Sequence, residues 1–385
     1  MPGILPIFVI LIAGLIFSEI FKRLHLPYVT ALIIAGILIG PFALNLIQID
    51  ETVSLIASIG VVFLMFMAGS EIKIGSFEKM GKNIFVLSFL NGIVPFIIGF
   101  SISWLFGYDY FTSIVLGTTF VSSSIAVIIP SLESNKLLDT KIGKTIVSAT
   151  VFEDVTSLIL LAVILQILAQ KTPLPLPVYI PTIILLFILL KTIIPRIEKR
   201  YYRKKKGKDL FESELRFVLV VLLATVILFE TLGMHSIVAG FLIGILLGDS
   251  ITGKVEEKIR SISYGLFIPV FFLILGMQTD LSVFLSTTSI VLTVTVVVGL
   301  IASKIASGWI AGRLIKFSPK ESLLIGISTI PQLSTTLAIA FVALEFGVLN
   351  QELITSLVVL SIITTFVAPL IIKFIVTKKK VEIRK

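Results

Sequence analysis

Apolar stretches of about 20 residues follow one another along almost the whole chain, from Ile4 to Thr377. Each is long enough to cross a hydrocarbon core roughly 30 Å thick as a helix. In lipid every backbone polar group must find its partner within the protein, which leaves only helices and closed barrels. Segments of this length read as helices. Only 14% of residues are charged and 56% are hydrophobic, against about 25% charged in soluble domains. The expected fold is therefore an all-α polytopic membrane protein with about thirteen transmembrane helices. They are placed near 4–21, 28–46, 53–71, 83–106, 112–133, 141–169, 178–200, 212–231, 235–248, 258–277, 283–315, 319–347 and 351–377. The first segment has no basic n-region or small-residue cleavage site and reads as a retained helix.

The net charge of +9 raises the question of nucleic acid, but its distribution points to topology instead. Alternate loops are basic, as at Lys22-Arg23, at Lys73, Lys79 and Lys82, at Lys136, Lys141 and Lys144, and from Arg196 to Lys208. The pattern continues at Lys254, Lys258 and Arg260, at Arg313, Lys316 and Lys320, and from Lys373 to Lys385. The loops between carry Asp50-Glu51, Asp109, Glu230, Asp280 and Glu345. The positive-inside rule then sets the N-terminus outside and the C-terminus in the cytoplasm. Cysteine is absent and there are two histidines, His25 and His235, so neither disulfides nor a zinc site is expected. Both histidines sit at helix starts and read as interface residues.

Two stretches recur. Pro27-Tyr-Val-Thr-Ala-Leu-Ile-Ile-Ala-Gly-Ile-Leu-Ile-Gly40 is matched by His235-Ser-Ile-Val-Ala-Gly-Phe-Leu-Ile-Gly-Ile-Leu-Leu-Gly248, and Phe66-Met-Ala-Gly-Ser-Glu71 by Leu273-Ile-Leu-Gly-Met-Gln278. Both offsets are about 207 residues. Seven helices separate corresponding points, so the second copy is inverted. Inverted six-helix repeats are a construction of secondary transporters, with the site at midplane. The transporter domain is read as 1–377, with repeat one about 4–169, a linker helix about 178–200 and repeat two about 212–377. A short basic cytoplasmic tail, 378–385, follows.

The corresponding fifth and twelfth segments are both interrupted by polar residues. One reads Gly117-Thr-Thr-Phe-Val-Ser-Ser-Ser124 before Pro130, with Thr118, Thr119 and Ser122, and the other Gly326-Ile-Ser-Thr-Ile-Pro-Gln-Leu-Ser-Thr-Thr336, with Gln332. Proline disrupts a helical ladder. Freed backbone at membrane depth is tolerated only if buried or facing a wet cavity, where half-helix ends can hold a small cation. The plain alternative is two kinked helices whose hydroxyls bond back to their own carbonyls.

Glu153 and Asp154 are adjacent in the middle of the 141–169 segment. One such acid costs about 2.5–3.5 kcal/mol on insertion scales, so two side by side point to function. Thr150, Glu153, Asp154 and Ser157 form one i, i+3, i+4, i+7 stripe that should face the interior. Asp154 lies about 15 Å from Lys144 at the helical rise, near mid-membrane. Lys304 lies deep in its own span, roughly 14 Å from Arg313. It should reach the same level and pair with one acid, leaving the other to hold a proton or a monovalent cation. A purely structural ion pair would leave the second acid without a role. Glu71, near a helix end beside Lys73, reads as structural or gating.

These residues together resemble the monovalent cation:proton antiporter-2 family of sodium/proton exchangers, over nearly the whole chain. The carriers are Leu26-Pro-Tyr-Val with Ala35-Gly-Ile-Leu-Ile-Gly-Pro41, Gly60-Val-Val-Phe-Leu-Met-Phe-Met-Ala-Gly69, Thr118-Thr119 with Ser122-Ser-Ser124, Glu153-Asp154, Pro269-Val-Phe-Phe272 with Gly276-Met277, and Lys304. The resemblance implies a core and a dimerisation domain, two broken helices crossing near Asp154, and elevator-like alternating access in a homodimer. It implies that Asp154 carries Na⁺ or Li⁺ and the proton in turn, and that Glu153 pairs with Lys304. Thr118, Thr119 and Ser122 would replace water around the ion, with Thr150, Ser157 and Gln332 in support. Two departures stand out. The first acid is Glu where such exchangers commonly have Asp, and the second broken helix carries Pro331-Gln-Leu-Ser334.

The expectation is an electrogenic Na⁺/H⁺ antiporter in the cell membrane that is not an enzyme, needs no cofactor and binds no nucleic acid. The nearest alternative is a K⁺/H⁺ antiporter of the same fold. A channel is disfavoured by the absence of a carbonyl filter such as Thr-Val-Gly-Tyr-Gly. An intramembrane aspartyl protease would need two aspartates meeting across helices. Here the acids are neighbours, and Asp249 follows Gly248 outside any Gly-Leu-Gly-Asp motif.

Overall fold

The computed structural model describes residues 4–23, 28–71, 81–169, 176–202, 212–248 and 253–378. His25, Lys73, Lys79, Lys171, Asp249 and the tail beyond Lys378 lie outside them. All regular structure among the described residues is helical. In chain order the helices are α1 Ile4–Arg23, α2 Tyr28–Ile39, α3 Glu51–Ser70, α4 Lys82–Leu105, α5 Tyr110–Val121, α6 Ile125–Ser134, α7 Lys141–Ala169 and α8 Leu176–Tyr202. They continue as α9 Ser213–Thr231, α10 Ser236–Gly248, α11 Lys254–Ile262, α12 Ile268–Met277, α13 Thr287–Leu314, α14 Pro319–Ser328, α15 Ser334–Glu345 and α16 Gln351–Lys378. Nine helical runs among the described residues are long and apolar enough to cross a membrane, and Tyr28–Ile39, Ser236–Gly248 and Ser334–Glu345 are shorter apolar helices.

Several expected boundaries move, each for a local reason. The helix expected over 28–46 stops at Ile39, because Gly40-Pro41 follows and proline both lacks a donor and restricts the residue before it. The helix expected from 258 begins at Lys254 and contains a π-helical turn, Ser263–Phe267. The helix expected from 283 begins at Thr287, after a 3₁₀ turn over Leu281–Leu285 that Asp280 caps by accepting from the Ser282 N–H at 2.8 Å. The segment expected over 112–133 is two helices, α5 and α6, parted at Ser122–Ser124. Pro130 lies inside α6 and is not the break. The segment expected over 319–347 is likewise two, α14 and α15, parted by Thr329–Leu333.

The chain divides into two compact units. One comprises Met1–Asp50, Glu78–Leu161 and Phe272–Lys385. Its apolar core is assembled from Leu87, Ile128, Ile146, Ile325 and Ile372, among others, from α4, α6, α7, α14 and α16. The two broken helices meet in it through their gaps, where the Ser124 N–H donates to the Pro331 carbonyl at 2.7 Å. Close packing here depends on missing side chains, as helix pairs in lipid often do. A Cβ on Gly99 would lie 3.1 Å from the Gly117 Cα, and one on Gly308 would lie 2.4 Å from the Gly326 Cα.

The start of α14 is fixed by a capping box. The Ser318 hydroxyl accepts from the Glu321 N–H at 3.3 Å and the Glu321 carboxylate accepts from the Ser318 N–H at 2.8 Å, with Pro319 in the first turn. Asp109 caps α5, accepting from the Phe111 N–H at 2.9 Å, the Thr112 N–H at 3.2 Å and the Thr112 hydroxyl. Burial pushes the Asp109 carboxyl upward, but the Thr112 and Phe111 donors outweigh it and hold the group below its usual range. A lowered folded-state value means that the cap's contribution is complete above the unfolded carboxylate range, and is lost as pH falls through the folded value. Asp109→Ala is expected to cost about 1 kcal/mol. Thermal unfolding of the variant at neutral pH checks this, and the difference from the parent should shrink in acid.

The other unit comprises Glu51–Phe77 and Ala162–Phe271. Here α3 and α10 pack along Gly69, Gly240, Gly244 and Gly248, while Gly60 of α3 lies against Phe267 and Phe271. Phe63 stacks on Phe267 of the π turn, with centroids 4.4 Å apart. Glu71, just past the end of α3, pairs with Arg260 at 3.7 Å, and that guanidinium lies 5.8 Å from the Tyr264 ring. His235 precedes α10, and its Nδ1 accepts from the Ile237 N–H at 3.3 Å.

Candidate functional site

The polar stripe of α7 turns inward in the first unit. Thr150, Glu153, Asp154 and Ser157 are all buried. Lys304 of α13 is 0% exposed, and its Nζ lies 3.1 Å from Glu153 Oε2. The ammonium also donates to the Ser123 hydroxyl at 3.0 Å and to the carbonyls of Val121 at 2.8 Å and Asn91 at 3.2 Å. Glu153 is equally well held. Its Oε2 accepts from the Ser123 hydroxyl at 2.8 Å and its Oε1 from the Asn91 amide at 2.9 Å. A buried ion pair persists only when the remaining donors and acceptors are satisfied, and here they are.

Asp154 differs. The donors that face it are the Ser123 backbone N–H and the Thr335 hydroxyl, while Oδ1 is buried with no hydrogen-bond partner among the described residues. Such an oxygen costs about 1–3 kcal/mol unless something else satisfies it. The two broken helices sort the charges. Ser123 lies two residues before the start of α6, next to its N-cap Ser124, and Thr335 lies in the first turn of α15. The unpaired acid therefore lies against helix beginnings, which carry partial positive charge. Lys304 takes the carbonyl of Val121, the last residue of α5, where the partial charge is negative.

The supporting residues are placed as follows. Thr118 and Thr119 are buried, but their hydroxyls bond back to their own helix, to the Ile114 carbonyl at 2.8 Å and the Leu116 carbonyl at 2.7 Å. Ser122 faces the second broken helix. Its hydroxyl donates to Gln332 Oε1 at 3.3 Å and contacts the Thr336 hydroxyl at 2.9 Å, and its carbonyl accepts from Gln332 Nε2 at 2.6 Å. Ser157 donates to the Asp154 carbonyl at 2.9 Å. The Thr150 hydroxyl, one turn before Asp154, is buried without a partner among the described residues.

Sequence reasoning overlooked Asn91, and gave Ser123, Ser307, Thr329 and Thr335 no role of their own beyond the interrupted segments and the small residues around Lys304. Asn91 carried a signal, being the one amide between Ile84 and Phe106 in that apolar run, where a polar group needs the same explanation as the acids. Ser123 stood in the quoted serine triplet, but nothing in the spacing distinguishes it from its neighbours.

An all-helical membrane fold, with a filled ion pair, a free acid and two interrupted helices in one buried cluster, defines an ion-coupled transporter and not an enzyme. The chain belongs to the sodium/hydrogen exchanger family, whose transmembrane model matches residues 7–378. It is 30% identical over 377 residues to a probable Na⁺/H⁺ antiporter of Methanocaldococcus jannaschii, covering 97% of this chain and 96% of that one. It is 26% identical to the Na⁺/H⁺-K⁺ antiporter GerN of Bacillus cereus, covering 95% and 94%. The fold is shared with the sodium proton antiporter MjNhaP1 of M. jannaschii, at a TM-score of 0.70 and 18% identity over 97% of this chain and 96% of that one.

Proposed function

We propose that this chain exchanges Na⁺ or Li⁺ for H⁺ across the cell membrane, with cation and proton competing for Asp154. The observation that carries the reading is the inequality of the two acids. Glu153 is saturated by Lys304, Ser123 and Asn91, whereas Asp154 keeps a buried oxygen unpartnered. A dehydrated monovalent cation needs oxygen ligands of that kind, and Asp154 Oδ1 with the Thr150 hydroxyl supplies two on one helix face. Thr118, Thr119 and Ser122 shape the interrupted backbone, and their hydroxyls, which donate to neighbouring oxygens, keep lone pairs to offer the ion. The Glu153–Lys304 pair makes the exchange electrogenic by yielding and reforming during the cycle.

The topology belongs to the same proposal: thirteen helices in two inverted repeats, N-terminus outside, C-terminus inside, acting as a homodimer. The doubled glycine contacts support the repeat, because Gly36 meets Leu273 and Gly276 as Gly244 meets Phe66 and Gly69. A K⁺/H⁺ exchanger is the second reading, favoured by the likeness to a relative named for both ions.

The test is ΔpH-driven exchange in proteoliposomes with a panel of Na⁺, Li⁺ and K⁺. Asp154→Asn is expected to lower exchange by more than about 100-fold, equivalent to about 2.7 kcal/mol. Undiminished exchange in that variant would sink the mechanism. The same vesicles clamped at different membrane potentials test electrogenicity, and a rate indifferent to potential contradicts it.

A further inference from the structure

Asn91 sits at the centre of the buried cluster and makes contact with three other helical elements. Its Nδ2 donates to Glu153 Oε1 on α7 at 2.9 Å. Its Oδ1 accepts from the Ser307 hydroxyl on α13 at 2.7 Å and from the Thr329 hydroxyl, in the break between α14 and α15, at 3.5 Å. An ionised carboxylate can only accept, so the N–H₂ end of the amide is aimed at Glu153, and the Ser307 hydroxyl, which can donate, meets the oxygen. Asn91 is 0% exposed.

The consequence concerns the lysine. One ammonium faces two adjacent carboxylates, and both attract it. Glu153 Oε2 meets Lys304 because Oε1 is anchored from the opposite side by Asn91. With that anchor gone, the Glu153 carboxylate can rotate away and the flexible lysine stem can turn towards Asp154. The lysine would then occupy the carboxylate that the transported cation needs.

We propose that Asn91 is a positioning residue that assigns Lys304 to Glu153 and thereby keeps Asp154 free for the cation. This rests on the reading of Asp154 as the carrier. Asn91 touches neither Asp154 nor, in that reading, the cation, and it acts through the choice of ion-pair partner. An internal competitor raises the cation concentration needed for half-saturation and leaves the maximal rate largely intact. A residue with only a packing role would instead reduce the amount of folded protein or the maximal rate.

The experiment uses the purified full chain, with Na⁺ as the probe. Two quantities are read: half-saturating Na⁺ for exchange in proteoliposomes, and half-saturating Na⁺ for protection against thermal unfolding. Asn91→Leu, close in volume, is expected to raise both about tenfold, the scale of one hydrogen bond to a charged group. Ser307→Ala, which only releases the amide, should raise them in the same direction by less. It carries the test alone if Asn91→Leu does not fold. In a Lys304→Gln background there is no competing ammonium, so Asn91→Leu should leave Na⁺ protection unchanged relative to Lys304→Gln alone. Unchanged half-saturation in both Asn91→Leu and Ser307→Ala overturns the proposal, as does an equal rise with Lys304→Gln. Asp154→Asn, run alongside, separates the two readings. If it abolishes the Na⁺ response while Asn91→Leu changes nothing, only the role of Asn91 fails. If the Na⁺ response survives in it, the carrier reading fails and takes this one with it.

Discussion

Lys304→Met should destabilise the protein by about 3–5 kcal/mol, the usual cost of removing one partner from a buried ion pair. Glu153 would keep the Asn91 and Ser123 donors, but its charge would be buried without a counterion. The carbonyls of Val121 and Asn91 would also lose the donor they share. The loss should be largely repaired by removing the acid as well. Lys304→Met combined with Glu153→Leu takes away both charges together with their desolvation cost, and such double replacements are often neutral or stabilising. The repair should stop short of completion, because the Asn91 amide and the Val121 carbonyl stay buried without partners. Midpoints of thermal unfolding for the full chain, its two single variants and the double variant give the cycle. A Lys304→Met protein as stable as the parent would show that the pair is not formed in the folded state. A double variant no better than Lys304→Met would show that the loss lies in packing around the lysine stem and not in charge.

Much of this site could be read from the chain, because membrane burial makes polar residues expensive. The acid pair, its helical stripe and Lys304 at matching depth all follow from counting residues in apolar runs. What could not be read is which hydroxyl does what. Thr118, Thr119, Ser122 and Ser123 are adjacent and chemically alike, yet only Ser123 reaches both Glu153 and Lys304. That choice depends on where the helix unwinds. The unwinding is set by a contact made at long range, between Ser124 and Pro331, and is invisible to local spacing. Pro130 misleads for the same reason. A proline six residues into α6 is accommodated within the helix, whereas three serines with tertiary partners open the break. The boundaries at Ile39 and Thr287 follow local rules, Gly40-Pro41 and the Asp280 cap, and the pattern of apolar residues simply ran past them. The polar cluster was least legible where it leaves the acid-bearing helix, since Asn91 and Ser307 acquire meaning only when α4 and α13 are brought together.

The helix contacts that build each unit should be equally intolerant of a single methyl group. A Cβ on Gly36 would lie 1.9 Å from the Leu273 carbonyl oxygen, and one on Gly276 would lie 2.2 Å from the Ile33 oxygen. In the other unit a Cβ on Gly244 would lie 2.2 Å from the Phe66 oxygen, and one on Gly69 would lie 2.2 Å from the Phe241 oxygen. All four obstructions are backbone atoms, so no side chain can turn aside and the helices must part. Parting two helices forfeits close contact along their whole seam, which places Gly36→Ala and Gly244→Ala at or above the usual overpacking cost of about 1–3 kcal/mol. Gly265→Ala is the control. It lies in the π turn with nothing within 4 Å of the added atom. It should be neutral or stabilise by about 0.4–1 kcal/mol through the unfolded chain. Thermal unfolding of the three variants measures this directly. Comparable losses at Gly36 and Gly244 are what two copies of one packing unit require. A large loss at one and none at the other would mean that the recurring glycines are a likeness of sequence without a likeness of structural role, and the repeat reading would lose its strongest support.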